Sequence, residues 1–221
     1  MARSVSGSPV LDRLGDLGVI PVVVINDPSR AAALGSALLL GGLPCVEVTL
    51  RTDTALESLR ALAENPDLLV GAGTVLRPAQ VEAALEAGAR YIVSPGFSAS
   101  VVSECQRSGV PVLPGVATAT EIQAALEAGL EAVKFFPAEA SGGLAALKAL
   151  AAPFRGVRFV PTGGIAADGL ASYLAQPSVL AVGGSWLVSA DLLAAKDFVR
   201  ITQLSAAAVQ IVRRAREAAD A

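Results

Sequence analysis

Short aliphatic and β-branched runs alternate with alanine-rich amphipathic segments along almost the whole chain, and this alternation restricts the fold more than any other feature. The runs lie at residues 19–25, 45–50, 68–70, 90–94, 110–113, 132–136, 158–161 and 179–182. They are apolar throughout rather than alternating, which is the pattern of a parallel sheet covered by helices. Helical patterns separate them at 28–40, 54–64, 78–87, 99–106, 119–128, 143–151 and 167–175. A final helix is predicted over 197–218, and a short one near 10–17 precedes the first strand. Eight strand–helix units in 221 residues predict a (β/α)8 TIM barrel with a short N-terminal helix, one domain over residues 1–221. An open doubly wound sheet is the alternative, because a strand count does not require closure.

An internal repeat marks the units. Ala-Ala-Leu-Glu-Ala-Gly occurs at 83–88 and again at 124–129, each copy ending a helical pattern with a glycine suited to a left-handed cap, just before a strand. The repeat is architectural and carries no chemistry.

Composition narrows the chemistry by exclusion. The chain has no histidine, so a His-ligated metal site and the Ser-His-Asp and Cys-His nucleophile pairs are ruled out. Cys45 and Cys105 are far apart and have no neighbouring ligand types, which argues against a two-thiol metal site, while oxygen-ligated Mg²⁺ stays conceivable. Each cysteine sits in an apolar or helical pattern, as a small buried hydrophobe does, and two such thiols suggest a reduced, cytoplasmic setting. Net charge is −3 with no block of like charge, so nothing points to nucleic acid or an acidic membrane surface. A mean hydropathy of +0.58 prompts a check for a membrane span. The longest uncharged stretch, 169–190, is broken by Ser172, Tyr173, Gln176, Pro177, Ser178 and Gly183-Gly184, and reads as a helix, a turn and a buried strand. Residues 1–9 lack the apolar stretch of a secretory signal.

What remains centres on one lysine. Of Lys134, Lys148 and Lys196, the latter two read as solvated. Lys134 sits in Ala-Val-Lys-Phe-Phe-Pro, inside a run expected to be buried. A charged ammonium is costly there, and an uncharged lysine amine is a nucleophile toward ketones. The competing reading is a structural pair between Lys134 and a carboxylate inside the barrel. In the second strand, Glu47, Thr49 and Arg51 share one face by alternation. If that face is the interior, Glu47 is placed as a proton carrier and Arg51 as a planar clamp for a substrate carboxylate near the C-terminal mouth. The competing reading there is a buried Glu–Arg pair that holds the strand.

Pro161-Thr-Gly-Gly-Ile follows the seventh strand and Gly183-Gly-Ser-Trp the eighth. Loops at these positions of a barrel often hold phosphate through backbone N–H groups, although a lone Gly-Gly is usually only a turn. Gly71-Ala-Gly-Thr after the third strand and Ser94-Pro-Gly after the fourth complete a ring of small residues around the expected mouth.

Taken in order, Glu-Val-Thr-Leu-Arg (47–51), Val-Gly-Ala-Gly-Thr-Val-Leu (70–76), Ser-Pro-Gly (94–96), Val-Lys-Phe-Phe-Pro-Ala-Glu (133–139), Pro-Thr-Gly-Gly-Ile (161–165) and Gly-Gly-Ser-Trp-Leu-Val (183–188) resemble the 2-keto-3-deoxy-6-phosphogluconate (KDPG) aldolase and 4-hydroxy-2-oxoglutarate (KHG) aldolase family, class I, from about Gly18 onward. The resemblance implies a metal-independent carbon–carbon lyase with no cofactor. It implies Lys134 as the Schiff-base lysine and Glu47 as the general acid/base. Arg51, Thr74 and Pro95 would line the pyruvate part of the substrate, with Phe136 packed beside it. Gly163, Gly164, Gly184 and Ser185 would form the phosphate cradle. Thr162 matches the threonine of the gluconate-type enzymes; with the Gly-Ser-Trp pattern it favours the gluconate over the galactonate epimer. The implied partners are a phosphorylated keto-sugar acid and pyruvate, with 4-hydroxy-2-oxoglutarate as a second substrate, and the implied assembly is a homotrimer. The chain departs from some relatives at Val24-Ile-Asn-Asp, where they carry a basic residue, so phosphate binding would lean on backbone donors.

Three rivals stay open on the same residues. A phosphosugar isomerase or synthase would keep both glycine turns but has no need of a lysine in the sixth strand. A non-catalytic phosphosugar sensor would bind without turnover. A purely structural reading expects no ligand at all.

Overall fold

The computed structural model describes residues 8–219; residues 1–7, which make up most of the segment read as lacking a secretory signal, and residues 220 and 221 lie outside it. A short helix, α1 (Pro9–Leu17), leads into β1 (Val19–Val23). There follow a 3₁₀ turn (Pro28–Arg30), α2 (Ala31–Leu40), β2 (Cys45–Thr49), α3 (Ala55–Ala63), β3 (Leu69–Gly73), α4 (Pro78–Glu86), β4 (Tyr91–Val93) and α5 (Ala99–Arg107). The next strand is split by Pro114 into β5 (Val112–Leu113) and β6 (Gly115–Val116). The chain continues through α6 (Ala119–Glu127), β7 (Ala132–Phe135), α7 (Gly143–Ala151), β8 (Arg158–Pro161), α8 (Leu170–Leu174), β9 (Val182–Gly184), α9 (Ala190–Ala195) and α10 (Phe198–Ala219).

Every strand pairing is parallel. One sheet runs β5-β4-β3-β2-β1-β9 and the other β6-β7-β8. Single bridges Phe159–Val179 and Thr162–Gly183 link the end of the second sheet to the β9 segment of the first. The curled, helix-covered parallel sheet matches the α/β expectation, and the buried residues form one apolar core between helices and strands.

Local chemistry sets the boundaries. The repeat works as predicted: Gly88 and Gly129 take left-handed positions just past α4 and α6. Thr118 and Glu121 form a reciprocal capping box at the start of α6. Proline cannot donate to a ladder, so Pro114 interrupts a strand that then continues beyond the predicted limit of 113. Two glycine segments expected to follow strands are strand instead: β3 extends to Gly73, and Gly183-Gly184, read as a turn, belong to β9, which starts three residues later than predicted. The extra helix α9 was not anticipated.

The last helix, α10, packs against α2 and α8. Thr202 Oγ1 donates to the Ala37 carbonyl at 3.0 Å, and Gly41 lies against Ser205. Cys45 and Cys105 are buried, unpaired thiols, and burial pushes each up to about 12. Lys148 and Lys196 are exposed, as read from the sequence. Among the described residues no helix is long and apolar enough to cross a membrane.

Candidate active site

A cavity of about 290 Å³ opens where the C-terminal ends of the strands converge. Lys134 projects into it from β7 and is buried, with 6% of its surface exposed. Its Nζ donates to Glu47 Oε1 at 3.1 Å, although the two residues are 87 positions apart and on different sheets. Glu47 is itself 3% exposed. The pair expected as the competing reading therefore exists, and it joins the two residues expected to carry chemistry. Glu47 pairs with Lys134, not with Arg51, so the buried Glu–Arg pair is absent from the site. The Lys134 Nζ also lies 5.2 Å from the centre of the Phe136 ring.

Most of the other expected residues line the same cavity: Arg51, Thr74, Pro95, Phe136, Thr162, Gly163, Gly164 and Ser185. Thr49 lines it too, and is pinned by donating to the Val23 carbonyl at 2.9 Å. Its Oγ1 accepts from Arg51 Nε at 3.4 Å, which steadies the exposed guanidinium at the rim. Thr74 holds φ 59, a conformation that a β-branched residue adopts only under constraint. Gly163 and Gly164 line the cavity and take φ 104 and 83, in a turn closed to residues with a Cβ. That turn is clamped to the segment after β7: Ala138 N donates to Thr162 O at 2.8 Å and Glu139 N to Gly163 O at 3.0 Å. Glu139 in turn accepts from the Tyr173 hydroxyl of α8 at 2.6 Å; burial pushes that phenol up and the carboxylate adds to it.

Two expected residues do not line the cavity. Glu47 lies behind Lys134 and meets the cavity through it. At Gly184 the Trp186 ring fills the space where a Cβ would be. Alternation along β9 turns Gly183 inward in its place, under the Thr162 side chain. Arg30, three residues past the cation-free Val24–Asp27 segment, is held by Asp27 at 2.8 Å and by the Leu193 carbonyl, and does not reach the cavity. Among the described residues no group of three or more Cys, Asp or Glu side chains is gathered to hold a metal.

Val22, Ile165 and Gly183 also line the cavity and were missed, because an apolar residue or a glycine in a strand carries no sign of the site it faces. Gly115 was missed as well, because the fifth strand was ended before it. A Cβ there would run into the Pro95 carbonyl and approach Gly96 N to 2.7 Å. This close approach of backbones lets Pro95 form the wall of the site. Gly115→Ala should therefore lower stability by about 1–3 kcal/mol, the usual cost of overpacking. Thermal unfolding checks it, and an unchanged Tm would refute the contact.

A buried amine paired with a carboxylate, a guanidinium at the rim and a glycine turn in the wall define a site for a carbonyl compound that bears an anionic end. The comparisons agree. The sequence profile described as KDPG and KHG aldolase matches residues 10–204. The chain is 50% identical over 204 residues to the 2-dehydro-3-deoxy-phosphogluconate aldolase of Treponema pallidum, covering 92% of this chain and 97% of that protein. It is 47% identical over 193 residues to the KHG/KDPG aldolase of Escherichia coli K12, covering 87% and 91%. Its structure superposes with a TM-score of 0.87 on the KDPG aldolase of Legionella pneumophila, solved with pyruvate captured as a covalent carbinolamine intermediate, at 40% identity and with 90% and 97% covered. The chain belongs to the KDPG and KHG aldolase family.

Proposed function

We infer that this chain is a class I aldolase that cleaves KDPG to pyruvate and glyceraldehyde 3-phosphate, and also cleaves 4-hydroxy-2-oxoglutarate to pyruvate and glyoxylate. The observation that carries the reading is the buried Lys134–Glu47 pair at 3.1 Å, whose lysine lines a cavity with Arg51. The dual name of the Escherichia coli relative supports the second substrate.

The geometry suggests the following sequence. Glu47 takes a proton from Lys134, which frees the amine to attack the C2 ketone. Glu47 returns that proton to the carbinolamine hydroxyl, which leaves as water, giving an iminium and restoring the Glu47 carboxylate. Glu47, through a water, removes the C4 hydroxyl proton; the C3–C4 bond breaks, and its electrons pass to the iminium as an enamine. The aldehyde leaves, the enamine carbon takes a proton, and hydrolysis releases pyruvate and the free amine. The iminium stabilises the carbanion, so a metal has no part in the scheme. We assign Arg51 to the substrate carboxylate, Thr74 and Pro95 to the pyruvyl group, and Phe136 to packing beside it. Thr162 would meet the sugar hydroxyls and select the gluconate epimer. The phosphate would rest on Gly163, Gly164 and Ser185, with Gly183 replacing Gly184 as the inward glycine.

The wider reading is a single domain over residues 1–221, closed as a (β/α)8 barrel, cytoplasmic and homotrimeric. The bridges Phe159–Val179 and Thr162–Gly183, and the sharing of one strand by β5 and β6 across Pro114, support closure.

The test is borohydride reduction in the presence of pyruvate, followed by peptide mass spectrometry. A reduced pyruvyl adduct on Lys134 is expected, together with pyruvate release from KDPG. An adduct on Lys148, or none, would defeat the reading. The isomerase, sensor and structural alternatives all predict no adduct.

A further inference from the structure

We propose that Gly73 is a positioning residue that sets the Glu47 carboxylate beside Lys134; the inference rests on Glu47 being the proton carrier. Glu47 and Gly73 are not register partners. Glu47 pairs with Gly71, and Gly73 pairs with Thr49. The Glu47 side chain therefore climbs along β3 toward the mouth and lies across the bare backbone of Gly73. A Cβ at position 73 would collide with Glu47 Oε1 and stand 2.8 Å from both Cδ and Cγ. The three nearest atoms all belong to this one side chain.

The neighbouring glycine shows the contrast. At Gly71 a Cβ would strike the ring of Tyr91, which is buried and anchored by its hydroxyl to the Val46 carbonyl at 2.9 Å. That slot holds core. The slot at Gly73 holds only the acid/base group. Gly183 repeats the device for Thr162, whose Oγ1 and Cγ2 overlie it. Glu47 has no lower place to go, because the Tyr91 ring fills the slot below. With a methyl group at 73, the carboxylate must leave this place, and with it the Lys134 amine that holds it at 3.1 Å. The clash is with a side chain from Cγ outward and not with backbone, so the strand itself can form. The cost falls on proton transfer, and a displacement near 1 Å in a catalytic group lowers rate by up to about 100-fold.

The experiment is a cycle on the full chain with Gly73→Ala, Glu47→Gln and the double variant, measuring kcat, KM and the borohydride adduct with pyruvate. Gly73→Ala is expected to lower kcat by about 10–100-fold with a much smaller change in KM, and to keep the Lys134 adduct. In the Glu47→Gln background the same change should cost little more, because the group it misplaces no longer carries protons. Multiplying losses would mean that Gly73 acts independently of Glu47 and would overturn the inference. So would wild-type kcat in Gly73→Ala beside an impaired Glu47→Gln. Full turnover in Glu47→Gln would instead remove the proton carrier, and this inference with it. If Gly73→Ala does not fold, Glu47→Ala/Gly73→Ala empties the slot: recovery of folding supports the contact, and failure to recover overturns it.

Discussion

Lys134→Met should abolish cleavage while leaving the chain folded. Methionine has nearly the reach of lysine and packs well in irregular apolar space, so the β7 ladder and the Phe136 contact survive. What disappears is the nucleophile. Deleting the nucleophile of a covalent mechanism removes the whole route, a loss on the order of 10⁴-fold or more in kcat. The borohydride adduct should vanish with it. Residual turnover near wild type would sink the mechanism, since Lys148 and Lys196 are exposed and outside the cavity. Stability offers a second check. Removing one partner of a buried ion pair costs about 3–5 kcal/mol, whereas replacing both with apolar residues of similar volume is often neutral or better. Lys134→Met should therefore unfold more readily than wild type, and Lys134→Met/Glu47→Met should regain much of the loss.

Glu47→Gln is the second large effect. The amide keeps the shape over Gly73 and its oxygen still accepts from Lys134, but it cannot take a proton. Cleavage of KDPG should slow by about 10²–10⁴-fold, the range for a positioned acid/base group. Adduct formation with pyruvate should persist in part, because no C4 hydroxyl has to be deprotonated for it. Steady-state kinetics beside the trapping experiment separates the steps. Wild-type kcat would remove Glu47 from its role; loss of the adduct as well would place its main work in freeing the Lys134 amine.

The strands differ from their expected bounds for two physical reasons. Gly71-Ala-Gly73 and Gly183-Gly184 look like the ends of strands, because glycine packs poorly in a strand and is depleted there. At this mouth they are strand, because Glu47, Tyr91, Thr162 and Trp186 each lie across a neighbouring backbone that must be bare. Pro114 hid the continuation of the fifth strand for a local reason, the missing donor. The helices were read more closely because their signals are local: a capping box before α6 and glycines after α4 and α6.

By itself the sequence determined the order of strands and helices, the exclusion of histidine chemistry, and the oddity of a lysine in an apolar run. Those are properties of composition and short-range periodicity. Only the tertiary structure decided that Glu47 and Lys134 meet at 3.1 Å, that Gly184 turns away from the cavity while Gly183 faces it, and that Gly73 makes room for a carboxylate. These are contacts between β2, β3, β7 and β9, set by the curl of the sheets and the register between strands. No spacing along one strand encodes the distance to a side chain on another.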